Sequence, residues 1–164
     1  MDNFLIKKIN DLSELHNCVK VIQQSFITVA KQFNLTKENA PTNAAFISVE
    51  DLIKMQEKGI QMFGAYQGSN QVGFAAIEKS DKGVFFLEKL SVIPEYRNNG
   101  YGKRIMDFVF DYAEKEGGYK ISIGVINENV VLKKWYQEYG FIETGVRNFK
   151  HLPFGVCFME KQVF

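Results

Sequence analysis

Apolar residues recur along this chain with two spacings, one helical and one alternating, and together they mark out eleven elements. Phe4 to Ile9 reads as a strand, and Asn10-Asp11 as the cap of the helix after it. That helix carries Leu12, Leu15, Val19, Ile22, Phe26 and Val29 on one stripe. Asn34 to Asn43, with Pro41 inside it, breaks the period and reads as a loop. Ser48-Val49-Glu50-Asp51 opens a second helix, which Gly59 ends. Gln61–Tyr66 and Gln71–Glu78 read as two strands about the turn Gly68-Ser69-Asn70, and Gly83–Ile93 as a third strand of the meander. Ile105, Met106, Val109, Tyr112 and Ala113 form the face of a third helix that stops at Gly117-Gly118. Ile121, Ile123 and Val125 alternate as a strand, and Asn127 or Asn129 caps a helix whose stripe is Leu132, Trp135, Tyr136 and Tyr139. Phe141–Phe149 and Gly155–Val163 make a last hairpin around Lys150-His151-Leu152-Pro153-Phe154.

The alternation slips once. Phe85 and Leu87 fall on odd positions and Leu90 and Val92 on even ones, so one residue is extra near Glu88-Lys89. An extra residue is what a β-bulge inserts, and bulges gather beside active sites. Phe86 also interrupts the alternation, so a strand buried on both faces reads much the same.

Composition narrows the function classes. The 164 residues suit a single domain spanning 1–164, with 46% hydrophobic and 24% charged residues. The 20 basic and 19 acidic residues nearly cancel, so no charge argument for nucleic acid or an anionic membrane arises. No apolar run approaches the roughly 18 residues of a membrane span, and Met1–Lys8 has no signal-type apolar core, so a cytoplasmic location is expected. Cys18 and Cys157 stand alone without metal-ligand spacing and read as core thiols; no metal is expected.

The densest chemistry lies where the third meander strand meets Arg97-Asn98-Asn99-Gly100-Tyr101-Gly102-Lys103 and a helix begins. Glycines let such a turn bend tightly, and the unpaired N–H groups and positive dipole end of a helix form a socket for phosphate. A Walker A loop is excluded, because Arg104 follows Gly102-Lys103 and Arg97 stands where its first glycine belongs. A dinucleotide fingerprint is excluded, because Ile105 stands where its third glycine belongs.

The stretch resembles motif A of the GNAT superfamily of acyl-CoA-dependent N-acyltransferases, Gln/Arg-x-x-Gly-x-Gly/Ala, through Arg97, Gly100 and Gly102. Leu90, Val92 and Pro94 are similar to the family's approach to that loop. Downstream, Asn129, then Tyr136 seven residues later, then Gly140-Phe141 are similar to a second family signature. Seven residues is almost two helical turns, which sets Asn129 and Tyr136 on one face. Lys133 departs from the small or apolar residue frequent there. The resemblance covers about residues 84–145 well and the first half in element order only.

It implies the GNAT fold, an α/β (α+β) arrangement with a mixed, mostly antiparallel sheet of about seven strands and about four helices. It implies acetyl-CoA as cosubstrate, bound by Leu90, Ser91 and Val92 on the strand and by Arg97, Asn98, Asn99, Gly100, Tyr101, Gly102 and Lys103 on the loop, with the backbone N–H groups of Asn99 to Lys103 doing most for the phosphates. It further implies that Asn129 and Tyr136 face the thiol end of that cosubstrate. The activity implied is transfer of an acetyl group to a primary amine by direct attack in a ternary complex. The alternative is a non-catalytic acyl-CoA-binding or sensing module.

Transfer from a thioester to an amine sets three demands. An alkyl amine of pKa about 10.4 is free base only about 1 part in 2,500 at pH 7, equivalent to about 4.6 kcal/mol. Glu88, an acid beside the expected bulge, is the candidate base, against the alternative of a solvated charge beside Lys89. By family analogy the Val92 N–H supplies the oxyanion donor. Tyr136 is the candidate donor to the leaving thiolate, against a plain core role in its stripe. Arg104 reads as a solvated charge, His151 as structural and Trp135 as core. The acceptor, a small-molecule or peptide amine, is expected between Phe33–Ile47 and Arg147–Phe154, whose Phe33, Phe46, Phe149 and Phe154 suggest an apolar part. Neither segment holds the acidic cluster that a strongly cationic acceptor would want. No nucleic acid or membrane partner is expected, and a homodimer is left open.

Overall fold

The computed structural model describes residues 2–164. Its elements are β1 (Phe4–Lys8), α1 (Leu12–Gln32), α2 (Val49–Glu57), β2 (Gln61–Gln67), β3 (Asn70–Lys79), β4 (Val84–Val92), α3 (Tyr101–Lys115), β5 (Lys120–Ile126), α4 (Val130–Tyr139), β6 (Ile142–Asn148) and β7 (Gly155–Gln162). All eleven expected elements form, with ends displaced by a few residues. Two short 3₁₀ turns, Ala44–Phe46 and Pro94–Tyr96, were not legible in the apolar pattern.

Local chemistry sets the helix starts. Ser48 and Asp51 cap α2 reciprocally: the Asp51 N–H donates to Ser48 Oγ at 3.2 Å and the Ser48 N–H to Asp51 Oδ2 at 2.9 Å. Asn129, not Asn127, caps α4, its Oδ1 accepting the Leu132 N–H at 3.2 Å. Gly100 opens α3 at φ +78°, a conformation that glycine adopts without strain.

The seven strands form one sheet in the order β1-β2-β3-β4-β5-β7-β6. Every adjacent pair is antiparallel except β4 with β5. On one face, Leu15, Cys18, Ile22 and Leu52 of α1 and α2 pack on Met62, Phe74 and Ala76. On the other, Ile105, Met106 and Val109 of α3 and Tyr136 of α4 pack on Phe85, Leu87, Ile121 and Ile123. Both cysteines are buried and free, as core thiols.

The bulge lies where the alternation slips. Phe74 pairs with Ser91 and Ala76 with Glu88, so Ala75 alone opposes Lys89 and Leu90. Lys89 sits at φ +55°. The extra residue keeps Phe85, Leu87, Leu90 and Val92 all on the α3 face, although their parity changes. Phe86 is 39% exposed, which rules out a strand buried on both faces.

β4 and β5 pair only from Val84–Phe86 to Lys120–Ser122, and beyond Phe86 no ladder joins them. The gap they leave is the cleft of the molecule. Gly73 of β3, opposite Val92, is tightly packed: a Cβ there would stand 2.7 Å from the Ser91 carbonyl oxygen and 2.9 Å from an Ile105 methyl. Gly73→Ala is therefore expected to destabilise the protein by about 1–3 kcal/mol, as forced overpacking does, read from urea unfolding with an unchanged m-value.

Candidate active site

A cavity of about 890 Å³ opens between the splayed ends of β4 and β5. Its walls are Leu87, Glu88, Lys89, Leu90 and Val92 from β4, and Ile123, Gly124 and Val125 from β5. The turn into α3 closes one end through Arg97, Asn98 and Gly100 and the first helical residues Tyr101, Gly102 and Lys103, and α4 with its cap Asn129 adds Leu132, Trp135 and Tyr136. The expected catalytic pair and most of the expected cofactor surface thus meet in one cavity. Ser91 and Asn99 are absent from its wall. Ser91 is buried, with its hydroxyl donating to the Lys89 carbonyl at 2.9 Å across the bulge. The Asn99 amide donates to the Tyr96 and Arg97 carbonyls at 3.1 and 3.2 Å, holding the turn in shape.

Strand geometry aims the Val92 peptide. The Ile93 N–H donates to the Val72 carbonyl at 2.9 Å, toward β3. Successive residues of a strand present their N–H groups to opposite edges, so the Val92 N–H faces the gap beside β5. Glu88 is half-buried. Burial and the neighbouring Glu78 carboxylate push its pKa above the usual carboxylate value, against the opposing pull of Lys89 and Lys58. Tyr136 is only 6% exposed, its ring edge-on to Trp135 at 5.1 Å and to Phe141 at 5.4 Å. Burial raises its pKa far above that of a free phenol, so it remains a neutral hydrogen-bond donor.

The cleft thus lies between a bulged strand and its splayed parallel neighbour and ends on a glycine-opened helix. A family model described as the acetyltransferase (GNAT) family matches residues 28–141. The chain belongs to the GNAT family. Membership carries acetyl transfer as its general activity and agrees with the mixed seven-stranded fold.

Solved GNAT structures align along nearly the whole chain. The ribosomal-protein-S18-alanine N-acetyltransferase from Escherichia coli is 16% identical, with a TM-score of 0.77 over 98% of this chain and 94% of that one. The PaiA N-acetyltransferase from Thermoplasma acidophilum, in complex with coenzyme A, is 20% identical, with a TM-score of 0.75 over 97% and 98%. YncA, a putative acetyltransferase from Salmonella typhimurium solved with its cofactor acetyl-CoA, is 14% identical, with a TM-score of 0.72 over 99% and 95%. No curated protein sequence matches the chain significantly.

Within this GNAT frame several motif residues have partners that sequence did not reveal. Gly102 lacks a Cβ where Trp135 lies, as a Cβ would meet the indole at 3.1 Å. Glycine here therefore lets α3 and α4 approach as well as opening the turn. Tyr101 turns toward the sheet edge, stacking on Phe4 at 4.6 Å and donating to Gln67 Oε1 at 2.7 Å. Lys103 pairs with Asp107 at 3.1 Å, and Asp107 also accepts from the Tyr139 hydroxyl at 2.7 Å. Arg97 donates to the Val92 and Ser25 carbonyls rather than projecting freely from the loop. Arg104 pairs with Asp2 and lies over the Phe4 ring, 4.3 Å from its centroid. The unusual Lys133 is held by Glu143 at 2.8 Å and Asn127 Oδ1 at 3.0 Å.

The acceptor side differs from expectation in its members. Thr42, Asn43 and Ala44 line the cavity from one expected segment, and Leu152 and Phe154 from the other. Phe33 and Phe46 instead join Leu35, Ala40 and Ala45 in a small satellite core, and Phe149 packs on His151 and Phe158. The wall missed by sequence is the C-terminal half of α1: Ser25, Phe26, Thr28, Val29 and Gln32. Phe26 and Val29 belong to the apolar stripe, which gave no sign that the stripe extends beyond the sheet core into a cleft.

Proposed function

We propose that residues 1–164 act as a single-domain acetyltransferase that moves an acetyl group from acetyl-CoA to a primary amine by direct attack in a ternary complex. The observation that carries this is the convergence of Glu88, the Val92 N–H and Tyr136 on one cleft whose far end is the N-terminus of α3. The cleft fits the cosubstrate in kind. An extended arm can lie between the splayed strands, and the Gly100–Lys103 backbone suits a phosphate. When bound, acetyl-CoA supplies the activated acyl carbon and a thiolate leaving group.

The residues then divide the work. Glu88, its carboxylate held at a raised pKa, takes the proton from the incoming amine, directly or through water. The Val92 N–H donates to the acyl oxygen as it gains charge, at no cost in reorganisation. The Tyr136 hydroxyl donates to the sulfur as the bond to it breaks. Asn129 fixes the start of α4 and with it the position of Tyr136.

The acceptor is proposed to be an amine on an apolar body without a second cationic group. Phe26, Val29, Leu152 and Phe154 supply apolar wall, and Glu88 is the one acid among the residues lining the cavity. The E. coli and Brucella melitensis neighbours are ribosomal-protein-alanine N-acetyltransferases, which keeps a peptide amine among the acceptors to test. Free buried thiols fit a reducing, cytoplasmic setting.

Calorimetric titration with acetyl-CoA, with ATP and NADH as controls, is expected to give selective micromolar binding. CoA release with apolar amines is then expected to exceed that with polyamines. Binding without release for any amine would favour an acyl-CoA-binding module, and no binding at millimolar acetyl-CoA would reject both readings.

A further inference from the structure

Arg97 stands where the glycine-loop motif suggests a phosphate ligand, yet its guanidinium is engaged by the protein itself. Nε donates to the Val92 carbonyl at 3.1 Å. One terminal nitrogen donates to Thr28 Oγ1 at 3.2 Å, and the other to the Ser25 carbonyl at 2.8 Å and Ser25 Oγ at 3.4 Å. The Thr28 hydroxyl itself donates to the Ser25 carbonyl at 3.0 Å, which closes the set into a small ring. Its members come from the end of β4 and from α1, and Ser25, Thr28 and Val92 all line the cavity.

We infer that Arg97 is a positioning residue: its planar fork ties Val92 to the α1 wall of the cleft and so aims the Val92 N–H, rather than serving the phosphates. The inference rests on the acetyl-transfer reading above. The need for such a tie follows from the splay. Past Phe86, β4 has lost its β5 neighbour, so the gap-side groups of Val92 have no ladder to hold them. The Val92 carbonyl flanks the same α-carbon as its N–H, and fixing one limits the swing of the other. The guanidinium offers several N–H donors in one plane, enough to reach a strand and a helix together. A lysine offers a compact charge on a flexible stem and cannot span the two. The same tie makes α1 a wall of set width, so donor alignment and acceptor fit share one anchor.

The test uses two donors, acetyl-CoA and S-acetylpantetheine, which lacks every phosphate. Arg97→Ala is expected to lower kcat about tenfold with both donors, the order of a sub-ångström misalignment given that about 1 Å can cost 100-fold. Arg97→Lys is expected to recover little, while acetyl-CoA affinity, read by the fluorescence of the single tryptophan, Trp135, changes little. The same fluorescence counts binding sites, so kcat is expressed per intact cleft. A loss confined to acetyl-CoA and absent with S-acetylpantetheine would make Arg97 a phosphate ligand and overturn the inference, as would an unchanged kcat. Thr28→Val, which removes one anchor and keeps the side chain's shape, is expected to show a smaller loss of the same pattern and serves if Arg97→Ala does not fold. Should wild-type protein show no turnover, the transferase reading fails by itself. Amide exchange at residues 25–32 then decides the tie: faster exchange in Arg97→Lys supports it, and unchanged exchange overturns it.

Discussion

Tyr136→Phe is expected to lower kcat about 100-fold, within the range of a lost transition-state hydrogen-bond donor, while leaving acetyl-CoA affinity nearly unchanged. The substitution keeps the ring, and with it the edge-on contacts to Trp135 and Phe141 and the packing of α4 on the sheet. Burial alone shifts the Tyr136 hydroxyl, with no hydrogen-bond partner among the described residues, so its removal breaks no protein hydrogen bond. The melting temperature should therefore hold or rise slightly. Charge separates the catalytic role from the packing role. At reference values, full proton transfer from a phenol to a thiolate is uphill by about 2 kcal/mol, and burial makes Tyr136 a still weaker acid. The hydroxyl thus acts by a hydrogen bond that strengthens as sulfur gains charge, an interaction made mainly in the transition state. Such an interaction appears in kcat and hardly in binding. Wild-type turnover in Tyr136→Phe would remove the hydroxyl from the mechanism and leave Tyr136 as core.

The features legible in the sequence are those that one strand or one turn encodes alone. The shifted parity of Phe85, Leu87, Leu90 and Val92 marks the bulge because each side chain must still reach the α3 face. The Gly100 position is readable because the φ of +78° that opens α3 suits glycine. What could not be read depends on elements far apart in the chain. Ser25 and Arg97 meet across 72 positions, and neither carries a local sign of the other. Gly102 lines the cavity, as its motif suggests, but its close approach to Trp135 has no local sign in the sequence. Phe33 and Phe46 look like acceptor contacts because they are apolar residues in a loop, yet they cover a small core of their own. An apolar residue in a loop shows that something is buried and not what buries it.

Glu88→Gln carries the second large effect, and its pH dependence is the sharper test. Burial and Glu78 raise the Glu88 pKa, so its carboxylate form, the base, fills only above the ordinary carboxylate range. Wild-type kcat/KM for an alkyl amine should therefore rise through that raised value and then stay level while the acceptor remains mostly protonated. Over this plateau Glu88 takes the proton from the ammonium form, and the small free-base fraction does not limit the rate. Glutamine cannot accept that proton. The variant must wait for free amine, so its kcat/KM should climb about tenfold per pH unit toward the amine's pKa of about 10.4. The deficit is then about 100-fold at pH 7, the usual order for a lost general base, and shrinks steadily with alkali. Glu78→Gln removes a like charge beside Glu88 and should move the acid limb of the wild-type profile toward lower pH with little loss on the plateau. A Glu88→Gln profile parallel to wild type at all pH values would show that the proton leaves by another route, and Glu88 would then be a half-buried charge at a bulge with no part in the chemistry.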